Sequence, residues 1–230
     1  MFKGVIFDFN GTLFEDFDLQ ADGWAEVIRS HFHREMGPTE FRDCFHGLGN
    51  VDILSYINSL DPEKQFDISI TDEKESAYRR LCLEHPERAV FLPGVEEMLD
   101  ALKADGVPIA IATASEIVNV SFFYEIFRLD RWFPRDRIIY DDRTFPLKPA
   151  PDVYLRAAAR LGLDPCDCVV CEDSLNGIKA AEAAGIGRII VRRSRPRIES
   201  IYSDPNIYAF IDDYYGFYPE LLESGSSVPG

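Results

Sequence analysis

A chain of 230 residues with a formal net charge of −16 has room for one sizeable core and a small appended module, and its surface repels phosphate backbones and anionic membranes. Composition therefore excludes a nucleic-acid or membrane partner unless basic residues gather locally. The one dense basic run, Arg192-Arg193-Ser194-Arg195-Pro196-Arg197, reads as a solvated loop.

The chain begins with one Lys and a short apolar stretch broken at Asp8, which is neither a secretory signal nor a membrane span, so a cytoplasmic protein is expected. Val5 to Phe7 reads as a buried strand. From about Phe17 to His85 strand patterning is missing and apolar residues fall at helical spacing, as in Trp24, Val27 and Ile28, then Ile53, Leu54 and Ile57. Pro93-Gly94 opens a further helix, with Val95, Met98, Leu99 and Leu102 as its buried stripe and Gly106 as its stop. Four more apolar runs follow, Ile109 to Ala112, Ile138 to Tyr140, Val169 to Cys171 and Ile189 to Val191, alternating with helical patterns. That alternation predicts βαβ units and a parallel sheet. The expected fold class is α/β: a doubly wound core from residues 1–14 and 88–230, with an inserted α-helical cap over 15–87. The tail ESGSSVPG is polar and small and is expected to fray. Cys166, Cys168 and Cys171 mimic metal spacing, but Cys168-Val-Val-Cys171 is strand interior, where alternation sends the two sulfurs to opposite faces.

In open α/β sheets, ligands bind in the loops beyond the strands' carboxyl ends. Asp8 follows the first run. Thr113, with Ala114 and Ser115 as substrate-binding candidates beside it, follows the second. Lys148 lies beyond the third, and Glu172-Asp173 follows the fourth. Singly, each has an ordinary explanation as a turn cap, a helix cap or a solvated charge. Together they supply a nucleophile, a hydroxyl, a cation and two acidic groups at four successive strand ends. Neighbouring carboxylates repel unless a hard cation such as Mg²⁺ lies between them, and Mg²⁺ also suits phosphate oxygens, so phosphoryl transfer is the expected chemistry. Asp8 is then the group that attacks phosphorus, while Mg²⁺ and Lys148 offset charge.

With FDFNGTLF, IATAS, LKPAPDVYLRAAARLG and CEDSLNGIKAAEAAG in this order, the chain resembles the haloacid dehalogenase-like hydrolase superfamily, in its β-phosphoglucomutase and phosphatase branch with a helical cap. The resemblance implies a Rossmann-like core and Mg²⁺-dependent hydrolysis of a phosphate ester. It matches Asp8 to the nucleophile, Thr113 to the phosphate-binding hydroxyl and Lys148 to the cation holding both. It matches Asp173 to the direct Mg²⁺ ligand and Glu172 to one acting through water, with the Asn10 backbone carbonyl completing the set. Within the cap it implies substrate contacts from Gln20, Trp24, His46, Gly47 and Asn50. Trp24 also reads as cap core, and His46 as a surface residue of a Gly-rich turn.

Most phosphatases of the family have an Asp where this chain has Asn10; that Asp protonates the leaving oxygen and later deprotonates water. Asn does neither, which removes roughly 10²–10⁴-fold in rate, about 3–5 kcal/mol. Three outcomes are open at this point. The substrate is a small phosphorylated metabolite with a leaving group that departs unprotonated; or Glu15, Asp16 or His46 replaces the Asp; or the protein binds phosphorylated ligands, as a regulator, with poor turnover. A phosphomutase needs a competent base on each cycle, and dehalogenation leaves Glu172-Asp173 without a task, so both rank behind. Asn10-Gly11 is also a sequence in which deamidation is chemically easy. Neither substrate identity nor oligomeric state is encoded legibly.

Overall fold

The computed structural model describes residues 2–45, 48–63, 65–194 and 206–217. The chain divides into two units, Met1–Glu15 with Phe91–Gly230, and Asp16–Val90. Helices α1 (Phe17–Phe32), α2 (Asn50–Leu60) and α3 (Ile70–Glu84) belong to the second unit, and α4 (Val95–Ala104), α5 (Ile117–Ile126), α6 (Asp152–Leu161) and α7 (Leu175–Ala183) to the first.

The first unit is built on one sheet of six strands: β1 (Gly4–Phe7), β2 (Ile109–Glu116), β3 (Ile138–Asp141), β4 (Cys168–Glu172), β5 (Arg188–Arg192) and β6 (Ile207–Ile211). All pairings are parallel and the order is β3-β2-β1-β4-β5-β6, so the chain reverses its direction of travel across the sheet between β3 and β4. The α/β architecture expected from the alternating runs is thus present. Each run expected as a strand forms one. β6 lacked that signal, and β2 continues past Ala112 to Glu116 through a register irregularity against β3.

Burial on both faces explains the near-continuous apolar character of these strands. On one face Ile6, Ala110, Val170 and Ile189 pack against Val153, Tyr154 and Ala157 of α6 and Ile178 and Ala181 of α7. Alternation turns Phe7 to the other face, where its ring meets Phe133 edge-on at 6.5 Å. The expected stripe of α4, Val95, Met98, Leu99 and Leu102, is buried.

The second unit is helical, as its spacing predicted. Trp24, Val27, Ile28, Phe41, Phe45, Ile53, Leu54, Ile57 and Ile70 form its core. Trp24 is 1% exposed there and edges toward Phe45 at 6.2 Å, the environment of a core residue.

Candidate active site

Parallel pairing brings the site together. Phe7 of β1 is in register with Cys171 of β4, so Asp8, the next residue, emerges beside Glu172, and Asp8 N–H donates to the Cys171 carbonyl at 3.0 Å. Carboxylate oxygens of Asp8, Glu172 and Asp173 all lie within 4.8 Å of one another, and all three residues are buried. Lys148, from the loop between β3 and α6, places Nζ 2.6 Å from Asp8 Oδ1 and 2.7 Å from Glu172 Oε1.

Three carboxylates against one ammonium leave a surplus of negative charge in a buried place. Burial lifts the Asp8 carboxyl to about 7, against the pull of Lys148 and with the push of Glu172. Burial, then the charges of Glu172 and Asp8, push Asp173 well above the carboxylate range. Burial alone would pull Lys148 down, but Asp8 and Glu172 more than offset it, and the ammonium is held above its ordinary value. An all-oxygen donor set with surplus charge suits a hard divalent cation.

Glycines make room for these carboxylates. Gly11 has φ +75°, and a Cβ there would overlap the Asp173 carboxylate; a Cβ on Gly177 would overlap that of Glu172. Glu172 itself is heavily engaged. Its Oε1 accepts from Lys148 and, at 3.1 Å, from the Tyr154 hydroxyl, while Oε2 accepts from Asp173 N, Ser174 N and Ser174 Oγ at 2.7, 2.6 and 3.0 Å. Proximity groups Glu172 with the other two carboxylates, but these bonds make it the fixed anchor of the loop and of Lys148. Tyr154 also sets its ring 4.9 Å from Lys148 Nζ. Its part in the site escaped the sequence reading, although the Asp-x-Tyr helix start was visible.

Beyond Asp8 the chain makes a tight turn. The Phe9 carbonyl accepts from Thr12, Leu13 and Phe14 at 3.2, 2.9 and 3.1 Å, and Gly11 N–H donates to the Phe14 carbonyl at 2.7 Å. Phe9 and Phe14 pin its base, Phe9 stacked on Phe123 at 4.9 Å and Phe14 tilted against Phe127 at 4.8 Å. Thr12 Oγ1 donates to Asp173 Oδ1 at 3.3 Å, and Ser115 Oγ donates to Asn10 Oδ1 at 2.9 Å. Thr113 is buried, its hydroxyl accepting from Ser115 N–H at 3.1 Å, and Ala114 is exposed beside it. Asn10, Thr113 and Ser115 are thereby joined at the ends of β1 and β2.

Arg192 corrects an expectation. Instead of a solvated loop, the basic run starts inside β5, and parallel pairing of Arg192 with Ile211 carries it to the sheet's carboxyl edge. There Arg192 is 8% exposed, pairs with Glu15 and donates from Nη1 to the Gly11 carbonyl at 3.2 Å. Glu15, weighed as a replacement acid, is therefore this arginine's partner. Ser194 Oγ donates to the Asp173 carbonyl at 3.2 Å, and residues 195–197 of the run, like the tail, lie outside the described residues.

A haloacid dehalogenase-like hydrolase model matches residues 2–185. The chain belongs to that hydrolase family. Fructose-1-phosphate phosphatase YqaB of Escherichia coli is 30% identical over 83% of this chain and 97% of its own length. Among solved structures, a family hydrolase from Entamoeba histolytica superimposes with a TM-score of 0.83 at 30% identity, covering 93% of this chain and 94% of that one. CbbY of Rhodobacter sphaeroides, in a variant with one aspartate replaced by asparagine and in complex with xylulose-(1,5)bisphosphate, gives 0.77 at 25% identity over 93% and 95%. A longer plant relative, 30% identical over 92% of this chain, is matched over only 20% of its own length.

Two of the hydrolase's expected cap residues share one network within the second unit. Gln20 Nε2 donates to Asp16 Oδ2 at 2.8 Å, and its Oε1 accepts from Lys74. Lys74 also pairs with Glu75 Oε1 at 2.9 Å, and the same oxygen accepts from Asn50 at 2.7 Å. Asp16, the second replacement considered for the missing acid, further accepts from the Tyr78 hydroxyl at 2.8 Å. His46 and Gly47 lie outside the described residues. Lys74 was missed, yet the sequence carried its signal: it stands on the Ile70, Lys74, Tyr78 stripe of α3, where periodicity calls for an apolar residue. Among the described residues, no helix is long and apolar enough to cross a membrane.

Proposed function

We propose that this chain hydrolyses a small phosphorylated metabolite, an activated sugar phosphate or acyl phosphate whose leaving group departs without protonation, through an aspartyl phosphate at Asp8. The observation that carries this reading is Lys148 bridging Asp8 and Glu172 inside a cluster with surplus negative charge. A binding site for an anionic phosphate has no use for buried carboxylates unless one reacts and a cation balances the rest.

The residues present fit Mg²⁺: Asp8, Asp173 and the Asn10 carbonyl would hold it, with Glu172 acting through water. When bound, it offsets charge on phosphoryl oxygens. Lys148 keeps Asp8 oriented and draws negative charge from the transferring group. Thr113, whose hydroxyl already accepts from Ser115, donates its proton in a hydrogen bond to a phosphoryl oxygen, and Ala114 and Ser115 line the same edge. As the bond from Asp8 oxygen to phosphorus forms, the ester bond to the leaving oxygen breaks. The Asn10 amide can donate a hydrogen bond to that oxygen but no proton, so the group leaves as an anion. Water then attacks the aspartyl phosphate, which restores Asp8 and releases inorganic phosphate, and the water's proton leaves on that phosphate.

A second reading, ligand binding or regulation with little turnover, has one observation in its favour: the CbbY variant that holds a bisphosphate also carries asparagine in place of an aspartate. Hydrolysis of an aryl phosphate with and without Mg²⁺ separates the two. Expected is Mg²⁺-dependent turnover by the natural protein, lost by about 10⁴-fold or more in Asp8→Asn. For an alkyl phosphate, Asn10→Asp should raise the rate by about 10²–10⁴-fold. Tight phosphate binding with turnover only in Asn10→Asp would establish the second reading instead.

A further inference from the structure

We infer that Arg192 is a positioning residue, locking the Asn10–Phe14 turn so that Asn10 presents its backbone carbonyl and its amide to the Asp8–Asp173 cluster. The inference rests on the proposed metal role of the Asn10 carbonyl for its functional consequence, and on local geometry for the lock itself.

The turn is held from two directions. Phe9 and Phe14 fix its base by ring packing, which leaves the tip to polar contacts. At the tip, the Gly11 carbonyl takes the Arg192 Nη1–H at 3.2 Å. At the turn's exit, Glu15 pairs with the same guanidinium nitrogen. One side chain from β5 thus spans the tip and the exit of a loop from β1.

Gly11 is the pivot between the Asn10 and Gly11 peptide planes, and at φ +75° it has more freedom than any other residue type. The Gly11 N–H, in the same peptide plane as the Asn10 carbonyl, is held by the Phe14 carbonyl, and anchoring the Gly11 carbonyl fixes the next plane, so the two cannot swing together. A guanidinium suits the task because each terminal nitrogen carries two N–H groups fixed in one plane, so Nη1 alone serves both acceptors. Its buried Nε has no hydrogen-bond partner among the described residues. A buried donor left unmet costs free energy, and the contacts of Nη1 with Gly11 and Glu15 are what offset it here.

The test is amide exchange across the Asp8–Phe14 segment, read beside Mg²⁺ titration by calorimetry, on the full chain and on Arg192→Gln. Expected is exchange at Gly11, Thr12 and Leu13 faster by about tenfold or more, with β1 and β4 unchanged. Outer contacts of metal ligands are typically worth 10–100-fold, so Mg²⁺ should bind about that much more weakly. Unchanged exchange in the turn, or exchange raised equally over the whole sheet, would overturn the proposal. If Arg192→Gln does not fold, Arg192→Lys decides, because its ammonium keeps the buried charge but ends one bond short of the place where Nη1 meets both acceptors; turn exchange equal to that of the natural protein then overturns it. If the natural protein binds no Mg²⁺, the metal reading of Asn10 fails, and the exchange result still judges Arg192.

Discussion

Among the described residues, two lysine side chains are buried, and their surroundings differ in kind. Lys148 stands among three carboxylates, two of them within 2.7 Å, with the ring of Tyr154 against it. Lys74, 2% exposed, meets the single carboxylate of Glu75, the Gln20 amide and the rings of Trp24 and Tyr78 at 5.9 and 5.3 Å. Lys74 has one carboxylate in direct contact and a second, Asp16, reached only through Gln20, and it ties α3 to α1. Lys148 has three carboxylates about it, a surplus that only a further cation or protons can balance. A buried ion pair alone is weak evidence for function; a buried imbalance is stronger.

Replacing each lysine by methionine should break this comparison in opposite ways. For Lys148→Met we expect aryl phosphate hydrolysis to fall by about 10²–10³-fold, the scale of losing one preorganised electrostatic partner. For Lys74→Met we expect loss of stability by about 1–3 kcal/mol, read as a lower melting temperature, with the rate of the folded fraction little changed. A Lys74→Met protein that melts normally but has lost turnover would move that cluster from structure to function.

Proton linkage sharpens the same contrast. Asp8, lifted by burial to about 7 from an ordinary 3.8, prefers its proton in the folded state. Its ionisation therefore works against folding: metal-free stability should fall as pH rises from about 4 to 7 and level off above, and burial of Asp173 adds to the same sign. Mg²⁺ competes with those protons. At hundredfold excess over its Kd it should raise the melting temperature by about 5–10 °C at pH 8 and by less at pH 5.5. A metal-free protein more stable at pH 8 than at pH 5.5 would mean that the imbalance is not felt.

What the sequence made legible follows from the same physics. Asp8, Thr113, Lys148 and Glu172-Asp173 could be assembled on paper because parallel strands deliver their loops to one edge, whatever the detailed packing. β6 could not be seen, because Ile207–Ile211 is one short apolar run with no helical pattern leading into it. Arg192 was misread because charge density suggests solvent, while only the pairing of β5 with β6 says that the strand continues through it. Glu172 was legible as a carboxylate near a metal. That both its oxygens are occupied by Lys148, Tyr154 and the Ser174 turn depends on contacts between residues far apart in the chain.

Asn10 bears on the imbalance from the other side, since an aspartate there would make a fourth carboxylate beside one lysine. The amide keeps the surplus at its present level, and whether it lasts is measurable. Deamidation needs Gly11 N to reach the Asn10 side-chain carbon, but Gly11 N–H is committed to the Phe14 carbonyl at 2.7 Å and the turn is pinned by Phe9 and Phe14. The mass of the first peptide of the natural protein should therefore stay constant over days at neutral pH, while the unfolded chain gains a shift there and also at its other Asn-Gly pair, Asn176-Gly177. A shift in the first peptide of the folded protein would show that the turn opens. The added carboxylate would then be a second, slowly acquired source of the very acid that the sequence omits.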